Sequence, residues 1–181
     1  EKDRLFDPNA CKIGENLLVP IIKLKQSLEK SGHQIHTLDM YKWGDVDKII
    51  FQEVPNSIYT VETLEKKTKY IAKCILQKDN LFKASRMLSE DKRILLIMEP
   101  PAVAPKSYMK KYHKYFGKIL TWNDDLVDNE KYYKLYYPQP IPLKNHYEKF
   151  QNKREIVMIS GNKVSSHPDE LYSERKKVVE Y

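Results

Sequence analysis

The run Ile94-Leu95-Leu96-Ile97-Met98 constrains the fold more than any other stretch of this chain. With Arg93 before it, it reads as a strand that is apolar throughout, as strands buried inside parallel sheets are. It runs straight into Glu99-Pro100-Pro101, where two prolines stiffen the turn. A carboxylate therefore stands at the carboxyl end of a buried strand.

The flanking segments fit the same plan. Leu17, Leu18, Ile21, Ile22, Leu24 and Leu28 recur at helical spacing between Glu15 and Ser31. Pro20 sits near the start of that helix and Gly32 is placed as its C-terminal cap. Gln34 to Leu38 alternates like a strand, and Lys48 to Val54 is another, closed by Pro55. Residues 61–89 read as one broken helix or two. Lys106 to Tyr115 reads as a short helix, Lys118 to Trp122 as a strand, and Tyr132 to Tyr137 as a further strand. A proline cluster, Pro138-Gln139-Pro140-Ile141-Pro142, follows. Glu155 to Ser160 then reads as a strand, 161–168 as a loop and Asp169 to Tyr181 as a helix.

Strands alternating with helices predict an α/β fold with a Rossmann-like parallel sheet. Ligands in such sheets bind beyond the carboxyl ends of the strands. Those ends carry Asp39, Glu99, Asn123-Asp124-Asp125 and Ser160-Gly161-Asn162. The prolines divide the chain into a domain over 1–142, a linker over 143–154, and the first strand and helix of a second sheet over 155–181.

Composition removes several classes of function. With 181 residues, 41% of them hydrophobic, the chain can bury the core of one domain or of one domain plus part of another. No apolar stretch is long enough to span a membrane. Two cysteines, Cys11 and Cys74, do not make a disulfide scaffold and fit a reducing compartment. The net charge of +7 favours anionic partners. Neither G-x-G-x-x-G nor a P-loop is present. The triplet Asp45-Val46-Asp47 reads as turn punctuation before a strand, and the cysteines and histidines lack zinc spacing, so no metal site is expected. Lys110 to Tyr115 and Glu130 to Lys134 interleave cations with aromatics. Acidic residues are mixed among them and no nucleic-acid motif is present, so they read as solvated faces and no specific nucleic acid is expected.

Two constellations remain. Glu99 is placed to be a partly desolvated general base, or else a turn-stabilising carboxylate. Ser160-Gly161-Asn162-Lys163 with Arg175 forms a strand, loop and helix that resembles a phosphate cradle, with Asp169 and Glu170 as ordinary helix caps. Trp122 offers a face on which a sugar ring can stack.

Four phrases in order carry a family resemblance: Met98 to Pro101, Tyr115 to Asp124, Val157 to Lys163 and Leu171 to Arg175. Together they resemble the α1,3/4-fucosyltransferases and their bacterial and viral relatives. The resemblance covers most of the chain, more loosely before Arg93. It implies the GT-B arrangement, two Rossmann-like domains facing a cleft, the first holding an acceptor glycan and the second GDP-fucose. It implies an inverting transfer with Glu99 as general base. Asn162, Lys163 and Arg175 then fall on the donor side, and Trp122, Asn123 and Asp124 on the acceptor side. No cofactor or metal is required. Bacterial relatives work at the cytoplasmic face of the membrane, where +7 suits acidic lipid; animal relatives are anchored in the Golgi. The family's Glu-Lys donor phrase is not in this sequence, and Arg4-Leu5-Phe6 reads like the loop after the first strand. The expectation is therefore an acceptor domain without its first strand, followed by the start of a donor domain. The other readings are a different GT-B nucleotide-sugar transferase, and a non-catalytic carbohydrate- or nucleic-acid-binding module.

Overall fold

A computed structural model describes residues 2–11, 17–55, 80–138, 149–159 and 161–180. The chain divides into two compact units, Glu1–Asp45 with Pro138–Gly161, and Val46–Tyr137 with Asn162–Tyr181. Each is described by itself.

The first unit is built on α1 (Val19–Lys30), with Pro20 in its first turn. It ends as the sequence reads. Gly32 has φ +84°, its N–H reaches Glu29 O at 3.0 Å, and the His33 N–H reaches Leu28 O at 3.0 Å. These two bonds satisfy carbonyls that the last turn leaves open. Gln34 to Leu38 is not the strand its alternation predicts. Its backbone groups are taken by side chains: Lys25 Nζ donates to Ile35 O, and Thr37 N donates to Asp3 Oδ1 at 2.7 Å. A short 3-10 helix, Leu38–Met40, follows. The strand expected at 155–160 is likewise not formed over 155–159. Ile156 and Ile159 are 85% and 93% exposed. A strand exists only where neighbouring backbone pairs with it, and this run has no ladder partner among the described residues.

The second unit carries a four-stranded, all-parallel sheet in the order β1-β2-β3-β4. The strands are β1 (Ile49–Gln52), β2 (Arg93–Ile97), β3 (Lys118–Thr121) and β4 (Tyr132–Lys134). The Rossmann-like α/β character read from the sequence is present. Register puts Phe51 beside Leu95 and Leu95 beside Ile119, and then Ile97 beside Thr121. All five are buried and share one face. Each apolar side chain so buried contributes about 1.5–3 kcal/mol. Phe116, fully buried, meets Phe51 edge to face with ring centroids 5.7 Å apart.

Between β1 and β2 lies α2 (Asn80–Met87), with Leu81 and Ala84 buried; the rest of the helix expected over 61–79 lies outside the described residues. The buried Arg93 opens β2 and ties three elements together. Its guanidinium donates to Leu88 O just past α2 and to Tyr115 O at 2.5 Å. The helix expected at Lys106 to Tyr115 is two short pieces, a 3-10 turn Pro105–Tyr108 and α3 (Lys110–His113). Gly117 sits where the chain passes close against the backbone of Glu90 and Asp91. A Cβ there would lie 2.5 Å from Asp91 Cα. β4 stops at Lys134 rather than Tyr137, and Tyr136 is 81% exposed. Half of the expected linker, 143–148, lies outside the described residues. α4 (Tyr172–Glu180) closes the unit.

Candidate active site

Side chains link the carboxyl ends of all four strands. Glu53, one residue past β1, has a left-handed backbone, φ +60°. Such a conformation costs a non-glycine residue about 1–3 kcal/mol and persists only where neighbours enforce it. Here they do. Glu53 N donates to Leu96 O at 2.9 Å, and Val54 N donates to the buried Ser107 hydroxyl at 2.9 Å. The turn aims the Glu53 carboxylate back across the edge. Its Oε1 accepts the N–H groups of Met98 at 2.6 Å and Glu99 at 2.8 Å. Its Oε2 is buried and has no hydrogen-bond partner among the described residues.

Glu99 is exposed, not partly desolvated as the sequence predicts. Its main chain is nevertheless held on both sides. Glu53 takes its N–H, and its carbonyl accepts the Tyr108 hydroxyl at 2.8 Å. Burial pushes the Tyr108 phenol above its ordinary pKa, and the charges of Glu53 and, less strongly, Glu99 act in the same sense; a hydrogen bond with the Trp122 side chain opposes them. Tyr108 thus joins the ends of β2 and β3. From β4, Lys134 Nζ donates to Trp122 O at 2.8 Å and to Asp124 Oδ1 at 2.6 Å. Among the described residues nothing hydrogen-bonds the Glu99 carboxylate.

The three acceptor-side candidates therefore lie on the same edge as Glu99, in different states. Trp122 is 39% exposed and presents part of its ring. The Asn123 side chain is occupied, accepting Asp125 N at 3.0 Å as the cap of a 3-10 turn. Asp124 is paired with Lys134.

The donor-side candidates are less assembled. Asn162 and Lys163 are exposed on the stretch leading to α4. Ser165 Oγ reaches Ala102 O, in the loop that follows Glu99, at a long 3.5 Å. Arg175 lies over the Tyr172 ring at 5.8 Å. No hydrogen bond joins Asn162, Lys163 and Arg175 to one another among the described residues. The start of α4 already holds an anion. Glu170 accepts Tyr172 N at 2.6 Å and Ser173 N at 3.2 Å, as a cap does. Hydrogen bonds from the Ser173 side chain and from these backbone groups hold its carboxyl below the ordinary range.

Beneath the edge sits His113, 2% exposed. Its Nε2 lies 2.8 Å from Ser107 O and its Nδ1 2.9 Å from the Tyr132 hydroxyl. A carbonyl only accepts, so Nε2 carries the proton and Tyr132 donates to Nδ1. Burial pushes its pKa down. It is a packing histidine, held at both ring nitrogens.

Sequence reasoning passed over Glu53, which it absorbs into the strand Lys48 to Val54. The signal was there: a carboxylate between Gln52 and the apolar Val54 at the end of an apolar strand, two positions before Pro55. Among the described residues no group of three or more His, Cys, Asp or Glu is placed to hold a metal, and no helix is long and apolar enough to cross a membrane. No family model matches the chain, and neither a curated protein nor a solved structure matches it.

Proposed function

We propose that the protein is an inverting glycosyltransferase of the fucosyltransferase kind, moving fucose from GDP-fucose to a hydroxyl of an acceptor glycan. The observation that carries this reading is Glu99: a free carboxylate at the carboxyl edge of a parallel sheet, on a main chain fixed by Glu53 and Tyr108. In the proposed reaction Glu99 removes the acceptor hydroxyl proton. The oxygen attacks the anomeric carbon of fucose from the face opposite the leaving group. GDP departs with the bonding electron pair, and the configuration inverts. Trp122 stacks on the acceptor ring, with Asn123 and Asp124 beside it. Asn162, Lys163 and Arg175 face the diphosphate and offset its charge without a metal.

The finer architecture belongs to the same proposal: a GT-B pair of domains, with the sheet around β1–β4 holding the acceptor and residues 155–181 opening the donor half. The +7 charge supports peripheral contact with acidic lipid.

Fucose transfer from GDP-fucose to N-acetyllactosamine by the full-length protein tests it, with Glu99→Gln alongside. Product from the wild type and almost none from the variant supports the donor and the base together. A folded protein that neither transfers fucose nor binds GDP-fucose overturns the reading and favours a carbohydrate-binding module.

A further inference from the structure

We infer that Glu53 is a second substrate-contacting carboxylate of this site, its Oε2 accepting a hydrogen bond from a hydroxyl of the acceptor sugar. The inference rests on the proposed transferase reading and deepens it. The two oxygens of Glu53 are in opposite situations. Oε1 is doubly satisfied by Met98 N and Glu99 N. Oε2 is buried and unpartnered among the described residues. A buried acceptor without a donor is among the costliest arrangements in a folded protein. This one is held on a left-handed backbone that a carboxylate does not itself favour. Unmet polarity and backbone strain at one residue are what a site prepared for a ligand retains.

The chemistry of the missing donor follows from the surroundings. β1 and β2 are neighbours, about 4.8 Å apart in a sheet, so Glu53 and Glu99 end adjacent strands. Trp122 follows β3, the strand on the other side of β2, and is 39% exposed. Among the described residues no third carboxylate, His or Cys completes a metal set. One unpartnered oxygen, an exposed carboxylate on the neighbouring strand end and a partly exposed indole along the same sheet edge suit a neutral polyol. One hydroxyl goes to Glu99 and is deprotonated, a second goes to Glu53 and keeps its proton, and no bond changes at Glu53.

Glu53→Gln is the test, because the amide oxygen still accepts Met98 N and Glu99 N while the other arm becomes an NH2 group that donates and cannot accept. Two readouts are taken on the full-length protein. In thermal unfolding, N-acetyllactosamine is expected to raise the Tm of the wild type and to raise that of Glu53→Gln by less than half as much. Equal shifts, or no shift in the wild type, overturn the inference. In transfer kinetics, the variant is expected to raise KM for N-acetyllactosamine about tenfold, with KM for GDP-fucose within about twofold of wild type. Equal acceptor KM values overturn it. If the wild type transfers no fucose, the transferase reading fails by that result, and the sugar-dependent unfolding comparison still decides whether Glu53 contacts the sugar.

Discussion

His113 Nε2 donates to the carbonyl oxygen of Ser107 across 2.8 Å, and both residues are almost fully buried. Ser107 in turn receives Val54 N on its hydroxyl. The histidine therefore sets the loop that presents Tyr108, and with it the carbonyl of Glu99. Burial lowers the imidazole pKa from its ordinary 6.5, with Lys131 and Lys110 adding to the effect and the Ser107 carbonyl opposing it. The unfolded chain then takes up the proton first. Stability is unaffected by this group above about pH 6.5 and falls as pH drops below it. Unfolding midpoints between pH 7.5 and 5 check this. His113→Phe should flatten that slope, and should lower stability at pH 7.5 by about 1–3 kcal/mol through the lost bonds. A slope equal to wild type in the variant contradicts the assignment.

Gly117 admits no side chain. A Cβ would lie 2.7 Å from Glu90 O and 2.9 Å from Asp91 N, besides the contact with Asp91 Cα, and backbone cannot step aside as a flexible side chain can. Gly117→Ala should cost about 3 kcal/mol, the upper end of overpacking. Chemical denaturation reads it as a lower midpoint at unchanged slope.

Glu99→Gln should lower kcat by about 10²–10⁴ while leaving fold and donor affinity in place. Tyr108→Phe is the informative companion. It keeps the ring and loses the hydroxyl that holds Glu99 O. The expected result is a smaller drop in kcat, about tenfold, at nearly unchanged KM for GDP-fucose. Steady-state kinetics on the two variants separates the base from its support.

Glu170 occupies the start of α4, where a diphosphate is otherwise attracted. Its depressed pKa means that its stabilising effect is present above the ordinary carboxyl pKa and is lost as pH falls through the lowered one. Glu170→Ala should reduce α4 helicity by circular dichroism. It should also tighten GDP binding by removing a competing anion. Weaker GDP binding would mean that the cap organises the donor side instead of competing with it.

The sequence was most readable where one physical cause acts alone. The continuous apolar run of β2 requires burial on both faces, and it is a strand. Gly32 is legible because a left-handed C-terminal cap favours one residue type. Gln34 to Leu38, which alternates, and residues 155–159, an apolar run like that of β2, show the opposite. Either pattern records which side chains prefer water, but a strand also needs a partner for its backbone, and the pattern does not carry that. Of the candidate site, the places of Glu99 and Trp122 are legible because position at a strand end follows from the strand, whereas the exposure of Glu99 is not. The bonds of Glu53 to Met98 N and Glu99 N are hidden, because they depend on a left-handed backbone turn. The occupied states of Asn123 and Glu170 are also hidden, since a capping bond is decided by where the helix begins.

The order β1-β2-β3-β4 has a consequence for how the sheet is assembled. Each strand is laid beside the one before it, and the chain enclosed between partners shortens at every step, from Ile49 and Arg93 to Ile94 and Lys118 to Ile119 and Tyr132. Closing a shorter segment sacrifices less chain entropy. The β3–β4 pair therefore zips most readily and β1 docks last, although β1 is the first of the four to leave the ribosome. The turn bearing Glu53 is then completed only when that late strand arrives, so the carboxylate edge is finished at the end of folding.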